Sequence, residues 1–322
     1  MYKNSVKRTE KGIQKLNAQN AMNGSAVEHI PVLAKTLAEQ ISLPPDAVMV
    51  DATIGQGGHS LLFGQSLNPK GLLIGLDIDK TSLSKADYKL KNLTCKVILL
   101  NSNFSKISQA LQKQGIEKVD FILADLGVSS AQLTDYDTGL SFLKDMPLDM
   151  RIDKRIKTTA ADIVNKADEK ALADLIYKYG QDRASRRIAR FVVQHRRTEP
   201  IKTTGQLASI VCRALGRPGK KRKSRIHPAT RTFQALRIAV NNELDNLEKL
   251  LVSAPPLLNK NGRIAVISFH SLEDRLVKNN FKLNEKENIY SIITKKPIVP
   301  SRREIEQNRR SRSAKLRIAQ KK

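Results

Sequence analysis

The chain has 322 residues, a formal net charge of +26, a pI of about 10.1 and 40% apolar residues. This length fits one large domain or two small ones with a substantial core. The charge is unusual for an enzyme of small-molecule metabolism and favours a polyanionic partner, either nucleic acid or an anionic membrane. The 4% aromatic content, without tryptophan, argues against a surface built mainly from base-stacking rings.

Several locations and site types are disfavoured by the sequence. The cysteines Cys95 and Cys212 form no CxxC pair and the histidines show no ligand spacing, so we expect neither disulfides nor a metal site. The chain has no run of 18 apolar residues and no apolar segment near its N-terminus. We therefore expect a cytoplasmic protein without a membrane partner. Residues 1–28 are polar and predict a disordered basic arm.

The first half of the chain alternates between helical and strand patterns. Four strands alternating with helices imply a parallel sheet with right-handed crossovers. The predicted fold class is therefore α/β, a doubly wound Rossmann-like sheet. Helices are predicted at 32–41, 58–67, 79–91 and 105–114, and strands at 47–53, 71–77, 96–100 and 119–126.

The alternation stops from about Leu140 to Val252, where only helical patterns occur. Helices are predicted there at 160–165, 168–179, 183–197, 203–215 and 228–252, and Pro255-Pro256 should end the last one.

The α/β pattern then resumes. A strand is predicted at 262–269, a helix at 271–282 with Ser271 and Asp274 spaced as a capping box, and an antiparallel strand pair at 289–294 and 315–319. The predicted architecture is thus a sheet domain at 29–139 and 253–322, interrupted by an all-helical insertion at 140–252.

A glycine-rich turn follows the first predicted strand. In the segment VMVDATIGQGGH an apolar run ends at Asp51, and Gly55, Gly57 and Gly58 precede a helical segment. This is the arrangement by which α/β folds bind adenosine-bearing cofactors, although a purely structural turn has the same pattern. Glycine allows positive φ angles and close approach of a ligand to the backbone.

Carboxylates decide between two cofactors at this turn. Asp51, Asp77 and Asp125 each end a predicted strand, at the edge where open α/β sheets bind ligands. They would attract a sulfonium with an α-amino group and repel a pyrophosphate. The nicotinamide fingerprint G-x-G-x-x-G also fails, because Ser60 occupies its third glycine position. The residues therefore favour S-adenosylmethionine over NAD.

Positive charge is concentrated in the helical insertion. Residues 181–240 contain 16 Arg or Lys and two acidic residues, and a second basic stretch begins at Lys295. Any single arginine fits a solvated surface, but the cluster as a whole indicates phosphate contacts. The predicted RNA-binding residues are Arg183, Arg187 and Arg190 in a stripe continued by Arg197, Lys221 and Arg222 in the run GKKRKSR, and Arg231 and Arg237 in helix 228–252. We also expect the polar face of helix 228–252, with Thr230, Gln234, Arg237 and Asn241, to meet RNA or the cofactor domain.

Six segments of the chain form motifs that are long and unusual in combination. They are HIPVL (29–33), DATIGQGGHS (51–60), DLGVSSAQL (125–133), GLSFLKDMPLDMR (139–151), HPATRTFQALRIAVNNEL (227–244) and ISFHSLEDR (267–275). They resemble the bacterial 16S rRNA (cytosine-N4) methyltransferase family of the RsmH/MraW type, and the resemblance runs from about His29 to the end of the chain.

The resemblance implies a class I methyltransferase domain with an inserted helical domain that binds the RNA substrate. It implies methylation of the exocyclic N4 amine of a cytidine in the decoding region of 16S rRNA, within the small ribosomal subunit. The residues expected to contact S-adenosylmethionine are Gly57, Gly58, His59, Asp77, Phe104, Asp125 and Gln132.

The proton acceptor is left open among three residues. Methylation of an aryl amine needs in-line positioning and a group that orients the amine and accepts its proton late. Asp125, Asp149 and His270 are the candidates. Asp149 could instead pair with Arg151, and His270 could be an ordinary loop histidine.

Two other functions remain open at this point. The chain could methylate protein or DNA, or it could be a non-catalytic ribosome-assembly or RNA-binding factor that keeps a methyltransferase-like fold. Whether it forms a homodimer is also left open.

Overall fold

The computed structural model describes residues 31–127, 138–142, 144–216 and 227–322. The predictions for the arm at 1–28, for Gln132 and for Lys221 and Arg222 lie outside these residues. The chain divides into two compact units. One comprises Met1–Gly127 with Asp245–Lys322, and the other comprises Val128–Leu244.

The first unit contains a seven-stranded sheet with the order β3-β2-β1-β4-β5-β7-β6. Its strands are β1 (Val48–Asp51), β2 (Leu72–Asp77), β3 (Lys96–Asn101), β4 (Val119–Asp125), β5 (Leu258–Ser268), β6 (Tyr290–Ile292) and β7 (Lys315–Lys321). Strands β1 to β5 are parallel, and β7 is antiparallel to both β5 and β6. The predicted parallel sheet and its antiparallel final pair are confirmed.

The described residues contain twelve α-helices, numbered along the chain. They are α1 (Ala34–Gln40), α2 (Gly58–Gly64), α3 (Lys80–Leu90), α4 (Ile107–Gln112), α5 (Ala160–Lys166), α6 (Glu169–Gly180), α7 (Ser185–Arg196), α8 (Thr204–Ala214), α9 (Thr230–Asn241), α10 (Glu243–Leu257), α11 (Ser271–Lys286) and α12 (Arg302–Gln307). None of these helices is long and apolar enough to cross a membrane.

The two faces of the sheet carry different helices. Side chains alternate along a strand, so neighbouring residues of β1 enter different cores. Val50 joins a cluster with Leu111 of α4 and Phe281 of α11. Met49 joins the opposite cluster with Leu37 of α1 and Phe63 of α2. Helices on both faces confirm the predicted doubly wound sheet.

The second unit is built from helices α5 to α9 around one apolar core. Each helix contributes a stripe of buried residues with a spacing of three or four, which is the signature of an amphipathic helix. The fully buried members include Val164, Leu172, Ile176, Ile188, Val192, Leu207, Val211 and Leu236.

The prediction of a single helix at 228–252 is wrong. Asn242 has φ of 50°, in the left-handed region, and this residue separates α9 from α10. Asparagine tolerates this conformation better than most residues. The predicted stop at Pro255-Pro256 is also wrong, because α10 continues through both prolines to Leu257.

The predicted cap of α11 needs a smaller correction. The capping box is formed by His270 and Glu273 rather than by Ser271 and Asp274. The imidazole Nδ1 of His270 accepts from the backbone N–H of Glu273, and the Glu273 carboxylate accepts from the N–H groups of Phe269 and His270.

Candidate active site

The glycine turn after β1 is held by the end of β2. Gly55 and Gly57 have φ of +51° and +80°, a region that residues with a Cβ rarely adopt. The N–H of Gly55 donates to Asp77 Oδ2 at 2.9 Å, and the N–H of Ile54 donates to the carbonyl of Leu76 at 3.0 Å. The turn is therefore fixed at the carboxyl edge of the parallel strands.

Gly58 is needed for a different reason. A Cβ at this position would lie 2.6 Å from Cγ of Pro31, closer than packed carbon atoms approach each other. Its absence lets the chain before α1 pack on the start of α2. Contact of Gly58 with the cofactor stays a prediction.

Asp51 lies beneath the turn and is 1% exposed. Its carboxylate accepts from the hydroxyl of Ser60 at 2.7 Å and from the N–H of Thr53 at 3.2 Å. Burial raises the pKa of Asp51 to about 6, although the neighbouring His59 and these hydrogen bonds lower it. This carboxylate ties β1 to α2 rather than facing a ligand.

His59 is buried beside Asp125. Its Nε2 lies 3.4 Å from Asp125 Oδ2, and its side chain is 7% exposed. Burial alone would lower the pKa of His59, but the contact with Asp125 and the charges of Asp51 and Glu304 raise it above the ordinary value. These carboxylates therefore favour the protonated imidazole more than water alone would.

Asp125 has one oxygen in this contact and one oxygen unused. Its Oδ1 is buried and has no hydrogen-bond partner in the part of the chain that the structure describes. Its backbone N–H donates to the hydroxyl of Thr53 at 2.7 Å, which fixes the end of β4 to the glycine turn. Buried carboxylate oxygens normally accept hydrogen bonds, so Oδ1 is the atom best placed to receive a donor from a ligand.

Asp77 has a backbone partner on each oxygen. Besides Gly55, it accepts from the N–H of Asp79 at 2.8 Å. Burial raises the pKa of the Asp77 carboxyl, opposed by these hydrogen bonds. A carboxylate oxygen accepts more than one hydrogen bond, so Asp77 retains capacity for further donors such as the hydroxyls of a ribose.

Phe104 begins a short 3₁₀-helix after β3 and is half-buried against the core on one face of the sheet. Its packing fits both the predicted contact with S-adenosylmethionine and simple core filling, so that contact stays a prediction.

Two of the three candidate proton acceptors are engaged elsewhere. Asp149 forms a bidentate pair with Arg151, both bonds being 2.7 Å, and this pair and Lys154 hold the pKa of Asp149 below its usual range despite partial burial. His270 uses Nδ1 as an acceptor in the cap of α11, and its Nε2 lies 3.2 Å from Glu273 Oε1. Asp125 is the candidate with an unused acceptor.

The predicted RNA-binding arginines differ in their surroundings. Arg183, Arg187 and Arg231 are exposed, and Arg190 is exposed and 3.8 Å from Glu169. Arg237 instead donates to both oxygens of Glu243, at 2.8 and 3.0 Å.

The prediction that the polar face of helix 228–252 meets RNA or the cofactor domain therefore needs correction. Asn241 is 8% exposed and bonds the backbone of Met150 and Ile152, and Gln234 donates to the carbonyl of Tyr179. These residues hold the helical unit together.

Sequence reasoning missed three residues around the cofactor site. Thr53 binds the N–H of Asp125, and the side chain of Asn101 donates to the carbonyls of Asp77 and Ile78. Glu304 accepts from the N–H of Leu33 at 2.7 Å. Thr53 lies inside a quoted motif and could have been found there, whereas Glu304 is distant in sequence and carries no local signal.

The sequence model of the MraW methylase family matches residues 26–322. The chain belongs to this family. Three relatives bear the name ribosomal RNA small subunit methyltransferase H. The relative from Clostridioides difficile is 46% identical and aligns over 91% of this chain and 98% of its own length. Those from Cyanothece and Picosynechococcus are 49% and 50% identical, covering 91% of this chain and 94% and 96% of theirs.

Family membership confirms the predicted type of enzyme, a class I methyltransferase that uses S-adenosylmethionine. The residues of the methylase fit this cofactor. The glycine turn presents backbone without side chains next to Asp77, and Asp125 lies at the same edge with one carboxylate oxygen that has no partner among the described residues.

Proposed function

We propose that the methylase transfers a methyl group to the exocyclic N4 amine of a cytidine in the decoding region of 16S rRNA. The relatives' name supports small-subunit rRNA as the substrate, and the motif resemblance supports the cytidine amine. The observation that carries the chemistry is the buried Asp125 oxygen beside the glycine turn, which has no partner within the described ranges.

S-adenosylmethionine supplies an electrophilic methyl group on a sulfonium when bound. The chain must hold the acceptor amine in line with that methyl group and keep water out, because positioning provides the largest part of such catalysis. Gly55 and Gly57 shape the turn, and Asp77 orients the ribose. No covalent bond between the enzyme and the RNA is required.

Asp125 orients the amine and takes its proton late in the transfer. Its Oδ1 accepts a hydrogen bond from the amine, which directs the nitrogen lone pair away from the carboxylate. The adjacent His59 imidazole, 3.4 Å from Oδ2, helps to hold the carboxylate in a fixed orientation. A proton acceptor of this kind contributes roughly 10²- to 10⁴-fold to the rate.

The helical unit recruits the RNA. Arg183, Arg187, Arg190 and Arg231 present exposed guanidinium groups, which bind phosphates by paired N–H donors. The target base must leave its stack to present the amine, as enzymes that modify bases require.

The substrate class is tested by methyl transfer from labelled S-adenosylmethionine to four acceptors: small ribosomal subunits, free 16S rRNA, duplex DNA and a protein mixture. We expect incorporation into rRNA, in subunits or free, and none into DNA or protein. Incorporation into DNA or protein alone would contradict the proposal. Tight binding of rRNA without any methyl transfer would favour a non-catalytic assembly factor.

A further inference from the structure

The connection between β6 and β7, residues 293–314, lies at the edge of the sheet that holds the cofactor site. Strand β7 is antiparallel to β5, and β6 is antiparallel to β7. Strand β6 therefore runs in the direction of β5, and its last residue, Ile292, lies opposite Ala319 near the amino end of β5. The chain then follows β7 to the bridge between Ile298 and Leu316, level with Ile267 near the carboxyl end of β5. The connection leaves and re-enters the sheet at the edge where ligands of open α/β sheets bind.

Several contacts fix this connection in place. The backbones of Ile298 and Leu316 bond each other in both directions, at 2.9 and 3.0 Å. The side chain of Ser301 caps α12. Glu304 accepts from the N–H of Leu33 at 2.7 Å, next to the residues that pack on the glycine turn. The connection is thus an ordered part of the rim around the site.

The outer surface of the connection is strongly basic. Arg302 pairs with Glu306 at 3.1 Å, and Glu304 is engaged with Leu33, so both acids of the connection have partners. Six further cations are exposed, and none of them has an acidic partner within the described residues. They are Lys295, Lys296, Arg303, Arg309, Arg310 and Arg312.

We propose that the β6–β7 connection binds phosphates of the substrate RNA that flank the target nucleotide. This inference rests on the proposed function. Unbalanced cations repel one another and gain most from a polyanion, and arginine matches phosphate geometry. RNA is the polyanion favoured by position, because the target base must enter at this edge.

The test neutralises three of these arginines, with Arg309→Gln, Arg310→Gln and Arg312→Gln combined. The probes are small ribosomal subunits and free 16S rRNA, with binding measured from about 50 to about 200 mM salt. Each lost contact should reduce the slope of log affinity against log salt by about 0.7, so the triple variant should lose about 2. The corresponding Arg→Lys triple should retain most of the slope, because it keeps the charge.

A matched control removes the same charge from the opposite edge of the sheet. Lys70, Lys113 and Lys260 are exposed near the amino ends of β2, β4 and β5, and their combined change to Gln should leave the slope unchanged. Circular dichroism melting curves check that each variant is folded.

An unchanged slope in the arginine triple, or an equal loss in the lysine triple, would overturn the inference. Stronger binding to phosphatidylglycerol vesicles than to rRNA, lost in the arginine triple, would identify a lipid surface instead and also overturn it. Failure of the proposed reaction is seen separately, as wild-type protein that binds rRNA with the predicted slope but transfers no methyl group to it.

Discussion

His59 and Asp125 form a buried contact of 3.4 Å between the first helix after the glycine turn and the end of β4. The contact uses Asp125 Oδ2 and leaves Oδ1 without a partner among the described residues. Asp51, whose charge also acts on His59, is tied to Ser60 and Thr53. The imidazole thus contacts the residue proposed to meet the amine, at the start of the helix that Asp51 ties to β1.

The first prediction concerns Asp125. Asp125→Asn keeps the size of the side chain but removes its ability to accept a proton. We expect the rate of the chemical step to fall roughly 10²- to 10⁴-fold, measured in single-turnover methyl transfer to small subunits. Asp149→Asn is the comparison, since Asp149 is engaged with Arg151. It should lower the melting temperature but change the single-turnover rate less than about tenfold. A larger rate loss in Asp149→Asn than in Asp125→Asn would reverse the assignment.

The second prediction concerns pH. Burial raises the pKa of Asp51 from 3.8 to about 6 in the folded protein, so the folded state holds this proton more tightly than the unfolded state. The free energy of unfolding should therefore fall as pH rises from about 4 to about 6, by about 3 kcal/mol from this group. Asp51→Asn should remove this part of the pH dependence, measured by urea unfolding followed by circular dichroism.

Asp46→Asn is the control for this experiment, because it removes an exposed carboxylate of the same type. It should follow the wild-type pH profile. His59 acts in the same direction as Asp51, since its raised pKa means that its contribution is lost as pH rises above that value. Identical profiles for Asp51→Asn and wild type would show that the Asp51 carboxyl is not buried as described.

The third prediction concerns Gly58. In Gly58→Ala the new methyl group overlaps Pro31, whose Cγ would be 2.6 Å away. We expect a stability loss of roughly 1–3 kcal/mol and at least about tenfold weaker S-adenosylmethionine binding by calorimetry, because the start of α2 must shift. Gly115 has φ of +71° but open space around it, so the Gly115→Ala variant should be less stable without losing cofactor affinity. Adding Pro31→Ala to Gly58→Ala should restore binding, and no restoration would exclude the overlap as the cause.

The fourth prediction concerns the break between α9 and α10. Asn242 has φ of 50°, so Asn242→Gly should preserve stability, whereas Asn242→Val should cost roughly 1–2 kcal/mol. Urea unfolding measures both. Equal stability of the two variants would mean that this residue leaves the left-handed conformation.

Local sequence patterns were sufficient to predict the sheet and the glycine turn. Strands β1 to β5 each contain an apolar run because helices cover both faces, and the carboxylates Asp51, Asp77 and Asp125 are the last residues of β1, β2 and β4. Strand ends meet at one edge in a parallel sheet, so sequence position alone predicted that they would cluster.

The wrong predictions share one physical cause, because tertiary contacts leave no local pattern in the sequence. The apolar period across Leu236, Val240, Leu244 and Leu247 continues through Asn242, so a periodicity cannot show that the backbone turns there. The polar face of α9 was also misread, because its partners at Met150 and Ile152 are about ninety residues away. The link from Glu304 to Leu33 spans 271 residues and has no local pattern.

The central claim is tested most directly by identifying the methylated nucleoside. Small ribosomal subunits that lack this modification are incubated with the methylase and labelled S-adenosylmethionine, and the rRNA is digested and analysed by mass spectrometry. The account predicts one labelled product, N4-methylcytidine, from a nucleotide of the decoding region. Label on a ring carbon, a ribose oxygen or another base, or no label at all, would contradict it.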